Sequence, residues 1–166
     1  MRAGNVIGGG DYSEDRLISD IYRFAKKNKK IILRNPNSTR PWQHVLEPLS
    51  GYLLLAEKLN KNKLNKIDQN WNFGPNISNC KSVKYIANYF AKSLKLEIKI
   101  AKNNSKNFKP ETSYLRLSNY KARKILKWHP RWSLNKSLNK ILEWNNNAKS
   151  KGYKKVCEDQ IKNYLS

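Results

Sequence analysis

The segment Arg-Pro-Trp-Gln-His-Val at 40–45 gathers side chains that could bind a phosphorylated ligand. Arg40 provides a planar guanidinium group, which pairs with two phosphate oxygens at once as a lysine cannot. Gln43 and His44 follow the indole of Trp42 and can form hydrogen bonds with a ribose or a phosphate. The segment therefore predicts part of a pocket for a phosphorylated, hydroxyl-rich ligand.

Two earlier segments have the types of residue that would complete such a pocket. Asn5 lies where the apolar residues of 2–7 meet the Gly8-Gly9-Gly10 turn, and strand ends are where α/β sheets contact their ligands. Arg16 and Leu17 begin a helical pattern, so Arg16 and the first N–H groups of that helix could face a phosphate together.

Each candidate also has a structural alternative. Asn5 could cap a turn, Arg16 could pair with a neighbouring aspartate, and Arg40 could form a surface ion pair. A lone histidine is more often a structural residue than a catalyst, so no acid–base role is assigned to His44. The five tryptophans are predicted to lie in the core: Trp42, Trp71, Trp128, Trp132 and Trp144.

Length and composition indicate one globular domain. The chain has 166 residues, of which 39% are hydrophobic and 11% aromatic, which is enough for a real core. No apolar run approaches the roughly 20 residues that span a bilayer, and no signal-peptide pattern is present, so we expect a cytoplasmic protein. Cys80 and Cys157 are isolated and predict neither a metal site nor a disulfide.

The net charge of +22 raises the alternative of a nucleic-acid-binding protein. Its lysines, however, are spread along the chain and mixed with asparagines, as in 26–30, 60–63 and 102–107. An A/T-biased coding sequence would produce the same enrichment. The charge alone therefore favours a solvated surface over a dedicated nucleic-acid interface.

Apolar periodicity predicts alternating strands and helices, which is typical of α/β folds. Helices are expected from Glu14, at 46–59 (with Leu46, Leu49, Leu53 and Ala56 on one face), after a cap at Ser78 or Asn79, and after Ser118 and Ser133. The tail from Gly152 is expected to be a loosely attached helix. The expected strands are 2–7, 31–33, 70–74, 96–101 and 114–117.

Several motifs together resemble the CDP-glucose 4,6-dehydratase family of the extended short-chain dehydrogenase/reductase superfamily. They lie in the ranges 2–11, 15–18, 34–36, 40–52 and 71–75, with further similarity at 121–130 and Trp144. The resemblance implies the C-terminal, substrate-binding portion of such an enzyme, with a few strands and a helix left over from an incomplete Rossmann domain.

The resemblance also implies a domain division. Residues 1–150 correspond to the substrate-binding C-terminal portion, 151–166 to the loosely attached tail, and the N-terminal NAD-binding domain is expected to be missing. Gly8-Gly9-Gly10 lacks the spacing of a dinucleotide-binding loop. The Tyr-x-x-x-Lys catalytic pair is also expected in the missing half, since Tyr120-Lys121 and Tyr153-Lys154 have the wrong spacing.

In the family's reaction, NAD accepts a hydride from C4 of the glucosyl ring, water leaves across C5 and C6, and the hydride returns to C6. The present half would hold the sugar nucleotide rather than carry out this chemistry. The resemblance implies no catalytic residue and no metal ligand here. The implied substrate-binding residues are Asn5, Arg16, Leu17, Arg40, Gln43, His44 and Glu111.

Three positions depart from the family pattern. Pro-Glu-Thr at 110–112 replaces His-Glu-Ala, Ser118 stands where an aspartate is expected, and Ser19 replaces a proline. These departures leave the ligand loops intact in type but alter a helix cap.

The leading hypothesis is therefore a CDP-glucose-binding portion of a lyase for deoxysugar and surface-polysaccharide (O-antigen) synthesis, inactive alone. Its partner would be a separate N-terminal chain or a second copy, and the exposed apolar face of 46–59 predicts poor solubility in isolation. The alternatives are a small basic nucleic-acid-binding protein and a non-functional gene remnant.

Overall fold

The computed structural model describes residues 1–61, 70–101 and 112–166, and it divides the chain into two compact units. Unit 1 comprises Met1–Gly10, Pro41–Asn79 and Arg116–Ser166, and unit 2 comprises Asp11–Arg40 and Cys80–Leu115. The predicted single domain is thus built from two units whose segments interleave along the sequence.

Seven short strands and five α-helices make up the described structure. In chain order they are β1 (Arg2–Ala3), β2 (Asn5–Ile7), α1 (Leu17–Lys26), β3 (Ile31–Leu33), β4 (Thr39–His44), α2 (Leu46–Asn60), β5 (Asn72–Phe73), β6 (Cys80–Ser82), α3 (Val83–Leu94), β7 (Ile98–Ile100), α4 (Leu134–Lys151) and α5 (Tyr153–Leu165). A 3₁₀ turn covers Ile77–Asn79 and a π-helical turn covers Ala122–Leu126. The α/β class predicted from the sequence is confirmed.

The pairing of the strands in unit 1 is parallel. β1 pairs with β5, and β2 pairs with the end of β4, where Asn5 is opposite Trp42 and Ile7 is opposite His44. The predicted strand 2–7 is divided at Gly4, where the pairing partner changes from β5 to β4. The backbone at Gly4 also comes very close to β4. A side-chain carbon at Gly4 would lie only 2.5 Å from the Pro41 carbonyl oxygen.

Helix α2 buries one side and exposes an apolar face on the other. Its buried residues are Glu47, Pro48, Gly51 and Leu55. By contrast, Leu49 is 44% exposed and Leu53 is 73% exposed. The predicted helix is confirmed, and so is the expectation that an apolar face of it remains uncovered in this chain.

A cluster of apolar and aromatic side chains forms the core against α2. The Phe73 ring packs edge-on against Trp128 at 5.1 Å and against Tyr52 at 5.4 Å. All five tryptophans are buried, as predicted. The residues of this cluster are Leu55, Trp71, Phe73, Ala122, Leu126 and Trp128.

Helices α4 and α5 pack on each other, and α5 is fastened more firmly than the loosely attached tail expected from the sequence. Val156, Gln160 and Tyr164 are buried, at a spacing of four residues that places them on one face. Tyr164 near the end of α5 donates a hydrogen bond to Glu47 in α2. The polar composition of the tail concealed this single buried face.

Unit 2 packs α1 and α3 beside the parallel pair of β3 and β7. Ile31 and Leu33 are buried while Ile32 is exposed, which is the alternation of a strand with one covered side. Ile21 of α1 and Phe90 of α3 are also buried. This unit holds Arg16, Leu17 and Arg40 of the predicted site.

Two predicted details are wrong. Helix α3 begins at Val83, and its cap is Ser82, whose Oγ accepts a hydrogen bond from the Tyr85 N–H. The predicted cap at Ser78 or Asn79 does not form. Asn79 is buried, its Nδ2 donates a hydrogen bond to the Trp132 carbonyl oxygen, and its Oδ1 accepts one from the Leu134 N–H. The predicted strand 114–117 is a single bridge between Thr39 and Tyr114.

Within the described ranges, none of the helices combines the length and apolar character needed to cross a membrane.

Candidate functional site

The structure distributes the seven predicted substrate-binding residues unevenly. Asn5, Gln43 and His44 belong to unit 1, whereas Arg16, Leu17 and Arg40 belong to unit 2. Glu111 lies outside the described residues.

Arg40 is a buried cation at the start of β4. Only 6% of its surface is exposed, and its Nη1 donates hydrogen bonds to the Thr39 and Thr112 carbonyl oxygens at 2.9 and 2.7 Å. Arg40 is therefore buried, whereas its alternative would place it on the surface. The two carbonyl contacts hold its guanidinium group in a fixed orientation.

Arg16 is exposed at the N-terminus of α1, immediately before the half-buried Leu17. The neighbouring aspartates have other partners, since Asp15 pairs with Arg34 and Asp20 pairs with Arg23. Burial tends to raise the pKa of Asp11, but hydrogen bonds from Ser13 and the charge of Arg16 lower it below its usual value. Among the described residues, neither Asp15 nor Asp20 forms an ion pair with Arg16, so the alternative of a local pair with them is wrong.

Gln43 is almost completely buried and serves the core of unit 1. Its Nε2 donates a 2.8 Å hydrogen bond to the Phe73 carbonyl oxygen, which ties β4 to β5. Its Oε1 is buried and has no hydrogen-bond partner among the described residues. Asn5 is half-buried at the start of β2, opposite Trp42. Asn5 therefore remains partly accessible to a ligand, whereas the NH₂ group of the Gln43 amide already donates a hydrogen bond within the core.

His44 is a buried neutral histidine. Its Nδ1 accepts a hydrogen bond from the Leu46 N–H, and its ring packs 4.9 Å from that of Trp132. Burial, with a smaller contribution from the positive charge of Lys140, lowers the pKa of His44 to about 4. Its Nε2 is buried without a hydrogen-bond partner in the described part of the chain. These features agree with the structural role expected for a lone histidine.

The Gly8-Gly9-Gly10 turn does not fit a dinucleotide phosphate. A side-chain carbon at Gly9 would lie 2.2 Å from the Trp144 indole, and one at Gly10 would lie 2.9 Å from it. The Trp144 indole occupies the space directly beside Gly9 and Gly10. The glycines are needed for close packing and, at Gly10, for a positive φ of 77°. No step through NAD is therefore assigned to these residues.

The Tyr-x-x-x-Lys spacing occurs at Tyr22–Lys26 and at Tyr120–Lys124, two pairs that were not considered above. The Tyr22 ring packs edge-on against Phe90 in the core of unit 2. Lys124 Nζ lies over the face of the Tyr120 ring, 5.6 Å from its centroid, rather than beside a hydroxyl that it would activate. Both pairs have the spacing of the catalytic motif, and neither has an arrangement that supports its chemistry.

A buried carboxylate, Glu47, was missed by the sequence analysis. Its oxygens accept hydrogen bonds from the Trp132 N–H at 2.7 Å, the Arg131 N–H at 3.0 Å and the Tyr164 hydroxyl at 2.8 Å. Only 1% of this residue is exposed. The sequence feature that could have revealed it is a charged residue among apolar ones at the start of a predicted helix.

The altered helix cap at Ser118 keeps a capping interaction. The Ser118 Oγ accepts a hydrogen bond from the Tyr120 N–H at 3.4 Å, as an aspartate would in its place. The neighbouring Asn119 donates from Nδ2 to the Gly74 carbonyl oxygen at 2.9 Å. The substitution leaves the local turn in place.

Comparisons with known proteins agree with the motifs. No family model matches the chain. The chain is 45% identical over 144 residues to CDP-glucose 4,6-dehydratase of Salmonella typhimurium, a match that covers 87% of this chain and 40% of the relative. The predicted resemblance is confirmed, and the chain spans about two-fifths of that relative's length.

Solved structures share the fold at low sequence identity. The dTDP-glucose 4,6-dehydratase of Bacillus anthracis in complex with NAD has a TM-score of 0.70 at 19% identity, over 93% of this chain and 46% of that one. The UDP-glucuronic acid 4-epimerase of Bacillus cereus in complex with UDP-glucuronic acid and NAD has a TM-score of 0.67 at 18% identity, over 83% and 41%. These similarities extend the fold assignment to most of the chain.

Proposed function

We propose that this chain is the sugar-nucleotide-binding portion of an NAD-dependent CDP-glucose 4,6-dehydratase, a lyase that makes the 4-keto-6-deoxy sugar nucleotide. The 45% identity to the Salmonella enzyme is the observation that carries the proposal. The NAD-binding loop and the catalytic Tyr-x-x-x-Lys pair would come from another part of the functional enzyme. The chain alone would bind substrate without turnover.

Arg40 and Arg16 are proposed to bind the substrate's diphosphate. Arg40 suits this role because its carbonyl contacts fix the guanidinium before a ligand arrives, which lowers the entropic cost of binding. Arg16 adds an exposed charge at the N-terminus of α1, where backbone N–H groups also favour an anion. Leu17 and Glu111 are proposed to contact the nucleoside by resemblance to the family.

Unit 1 holds three further candidates by resemblance to the family, Asn5, Gln43 and His44. Asn5, at the start of β2, is half-buried and can reach a ligand at the strand end. Gln43 and His44 are proposed to support the site through the backbone of β4, because their side chains already serve the core. His44, with its pKa lowered to about 4, would act as a neutral group near pH 7.

The exposed face of α2 is proposed to pack against the NAD-binding portion of the enzyme. Leu49 and Leu53 present apolar side chains to solvent on this face. A soluble protein rarely leaves such a helix face uncovered, so a partner surface is the simplest explanation. The length of the Salmonella relative, of which this chain covers 40%, supports a partner of this kind.

The binding step can be tested by calorimetric titration of the full chain with CDP-glucose. We expect Arg16→Ala to weaken binding roughly tenfold, the effect of losing one charge-assisted hydrogen bond. Lys92→Ala, on the exposed side of α3, removes the same charge elsewhere and serves as the matched control. Arg40→Lys keeps the charge but loses the planar fork, and should also weaken binding.

Circular dichroism of each variant would separate lost binding from lost folding. Equal affinities for the wild type, Arg16→Ala and Arg40→Lys would contradict the assignment of the diphosphate site. Preference for another sugar nucleotide over CDP-glucose would contradict the assignment of CDP-glucose as the substrate. Turnover would be tested by co-expression with the part of the Salmonella enzyme that this chain does not match, followed by detection of the 4-keto-6-deoxy product.

A further inference from the structure

Unit 1 contains a groove that none of the substrate-binding candidates lines. It has a volume of about 670 Å³, within the range of roughly 300–1,000 Å³ typical of small-molecule sites. One wall comes from the turn 75–77 and the other from 116–120 with the beginning of the π-helical turn. All of these residues belong to unit 1.

The charges on the groove are of one sign. Arg116, Arg123 and Lys124 line it, and none of the described lining residues is acidic. Neither Arg123 nor Lys124 forms an ion pair within the described ranges. Three cations in one concave surface favour an anion, and arginines in particular favour phosphate oxygens.

An exposed aromatic ring accompanies these cations. Tyr120 is 66% exposed, and Ile77 on the opposite wall is 68% exposed. The Lys124 ammonium lies over the Tyr120 ring, which places positive charge next to a flat apolar surface. An aromatic face beside cations is the arrangement on which a nucleobase stacks while its phosphate is neutralised.

The two walls are held together by specific contacts. The Asn119 side chain donates a hydrogen bond to the Gly74 carbonyl oxygen. Gly74 also approaches Leu117 so closely that a side-chain carbon there would lie 2.3 Å from the Leu117 carbonyl oxygen. These two contacts fix the backbone segments that carry the cations and the Tyr120 ring, so unit 1 itself defines the shape of the groove.

We propose that this groove binds a nucleoside monophosphate, with the base against Tyr120 and the phosphate at Arg123 and Lys124. This site is separate in its residues from the proposed diphosphate site, which uses Arg16 and Arg40. The proposal does not depend on the dehydratase assignment, because it rests on the lining of the groove alone.

Titration of the full chain with cytidine 5′-monophosphate and adenosine 5′-monophosphate, followed by calorimetry, tests the proposal. Arg123→Gln combined with Lys124→Gln should weaken binding at least tenfold. Tyr120→Leu should weaken nucleotide binding roughly tenfold through lost stacking, while leaving the weaker binding of inorganic phosphate unchanged. Lys92→Ala combined with Lys149→Ala removes two exposed charges elsewhere and should change neither affinity.

The outcomes separate this site from the proposed substrate site. Loss of monophosphate binding in the Arg123/Lys124 variant, with CDP-glucose binding retained, would support the groove. Monophosphate affinities unchanged in that variant, or lost equally in the Lys92/Lys149 control, would overturn it. Single-stranded oligonucleotides could instead bind much more tightly than mononucleotides and lose this binding in the Arg123/Lys124 variant. That result would overturn the mononucleotide assignment and show that the groove binds nucleic acid.

Discussion

The hydroxyl of Tyr164 donates a 2.8 Å hydrogen bond to the Glu47 carboxylate, which lies 117 positions earlier in the chain. The same hydroxyl lies 3.1 Å from the Ser50 Oγ, and the Arg131 guanidinium donates to the Tyr164 carbonyl oxygen. Helix α5 is therefore joined to the start of α2 by a buried polar network. Such a network is costly to leave partly unsatisfied.

We expect Tyr164→Phe to lower the free energy of unfolding by about 1 kcal/mol, because one buried hydrogen bond to Glu47 is lost. Urea unfolding followed by circular dichroism would measure this. Tyr153→Phe is the matched control: Tyr153 lies at the other end of α5 and is largely exposed, so its substitution should change the free energy little.

Glu47→Ala tests the other end of the same contact and should cost more, about 2–4 kcal/mol. It leaves the buried Trp132 N–H without a partner as well as removing the bond to Tyr164. Equal costs for Tyr164→Phe and Tyr153→Phe, or a negligible cost for Glu47→Ala, would show that the network does not hold α5.

The close packing of Gly9 on Trp144 leads to a second prediction. Gly9→Ala should destabilise the fold by about 1–3 kcal/mol, because the added methyl would lie 2.2 Å from the indole. Gly8→Ala is the matched control, since its nearest contact is the Val45 side chain at 3.2 Å, a full ångström farther than the indole from Gly9, and its cost should be smaller.

A double-mutant cycle with Trp144→Ala identifies the source of the Gly9→Ala cost. If the indole is responsible, the cost should fall in the Trp144→Ala background, since the Cγ and Cδ2 atoms closest to the added methyl are then removed. An unchanged cost would place the strain in the backbone of the glycine turn instead.

Local sequence patterns predicted the positions of the helices better than they predicted the contacts that hold the helices in place. The apolar spacing of α2 and the Ser133 cap of α4 were readable because both depend on residues three or four positions apart. The firm attachment of α5 was not readable, because it depends on Tyr164 meeting Glu47 across 117 residues. Distant pairings of this kind leave no periodic trace in one sequence.

The candidate site was also only partly predictable from the sequence. The residue types at 40–45 predicted a polar binding site, and the resemblance to the family suggested its substrate. The structure then showed that Gln43 and His44 are used internally, which side-chain type alone does not reveal. The groove beside Tyr120 was missed because its walls come from two segments about 40 residues apart, and neither segment has a recognisable motif.

The exposed leucines of α2 lead to a third prediction, concerning solubility. We expect the wild-type chain to self-associate, and Leu53→Glu to reduce this association, because Leu53 is the most exposed leucine on the uncovered face. The free energy of unfolding should change by no more than about 0.5 kcal/mol. Size-exclusion chromatography with light scattering would measure the association.

Leu55→Glu is the control for the opposite side of the same helix. Leu55 is buried in the core of unit 1, so its replacement by a charged residue should unfold the chain rather than make it more soluble. A wild-type chain that is monodisperse, with Leu53→Glu indistinguishable from it, would contradict the assignment of this face as a covered interface.

His44 leads to a prediction about pH. Its pKa is about 4 in the folded chain and 6.5 when unperturbed, so the unfolded chain binds the proton more readily. The stability that depends on neutral His44 is fully present above pH 6.5 and is lost as the pH falls from 6.5 to 4. The difference corresponds to at most about 3 kcal/mol. Unfolding free energies measured by urea titration at pH 5, 6 and 7 should therefore rise with pH.

His44→Gln should flatten this rise by removing the titrating group, even if the loss of the Trp132 contact lowers the stability at every pH. His129→Gln replaces the other histidine, which is exposed, and should keep the wild-type slope. Because carboxylates also titrate near pH 4 to 5, the informative quantity is the difference between the two variants. A slope in His44→Gln as steep as in His129→Gln would show that His44 is not held neutral by its burial.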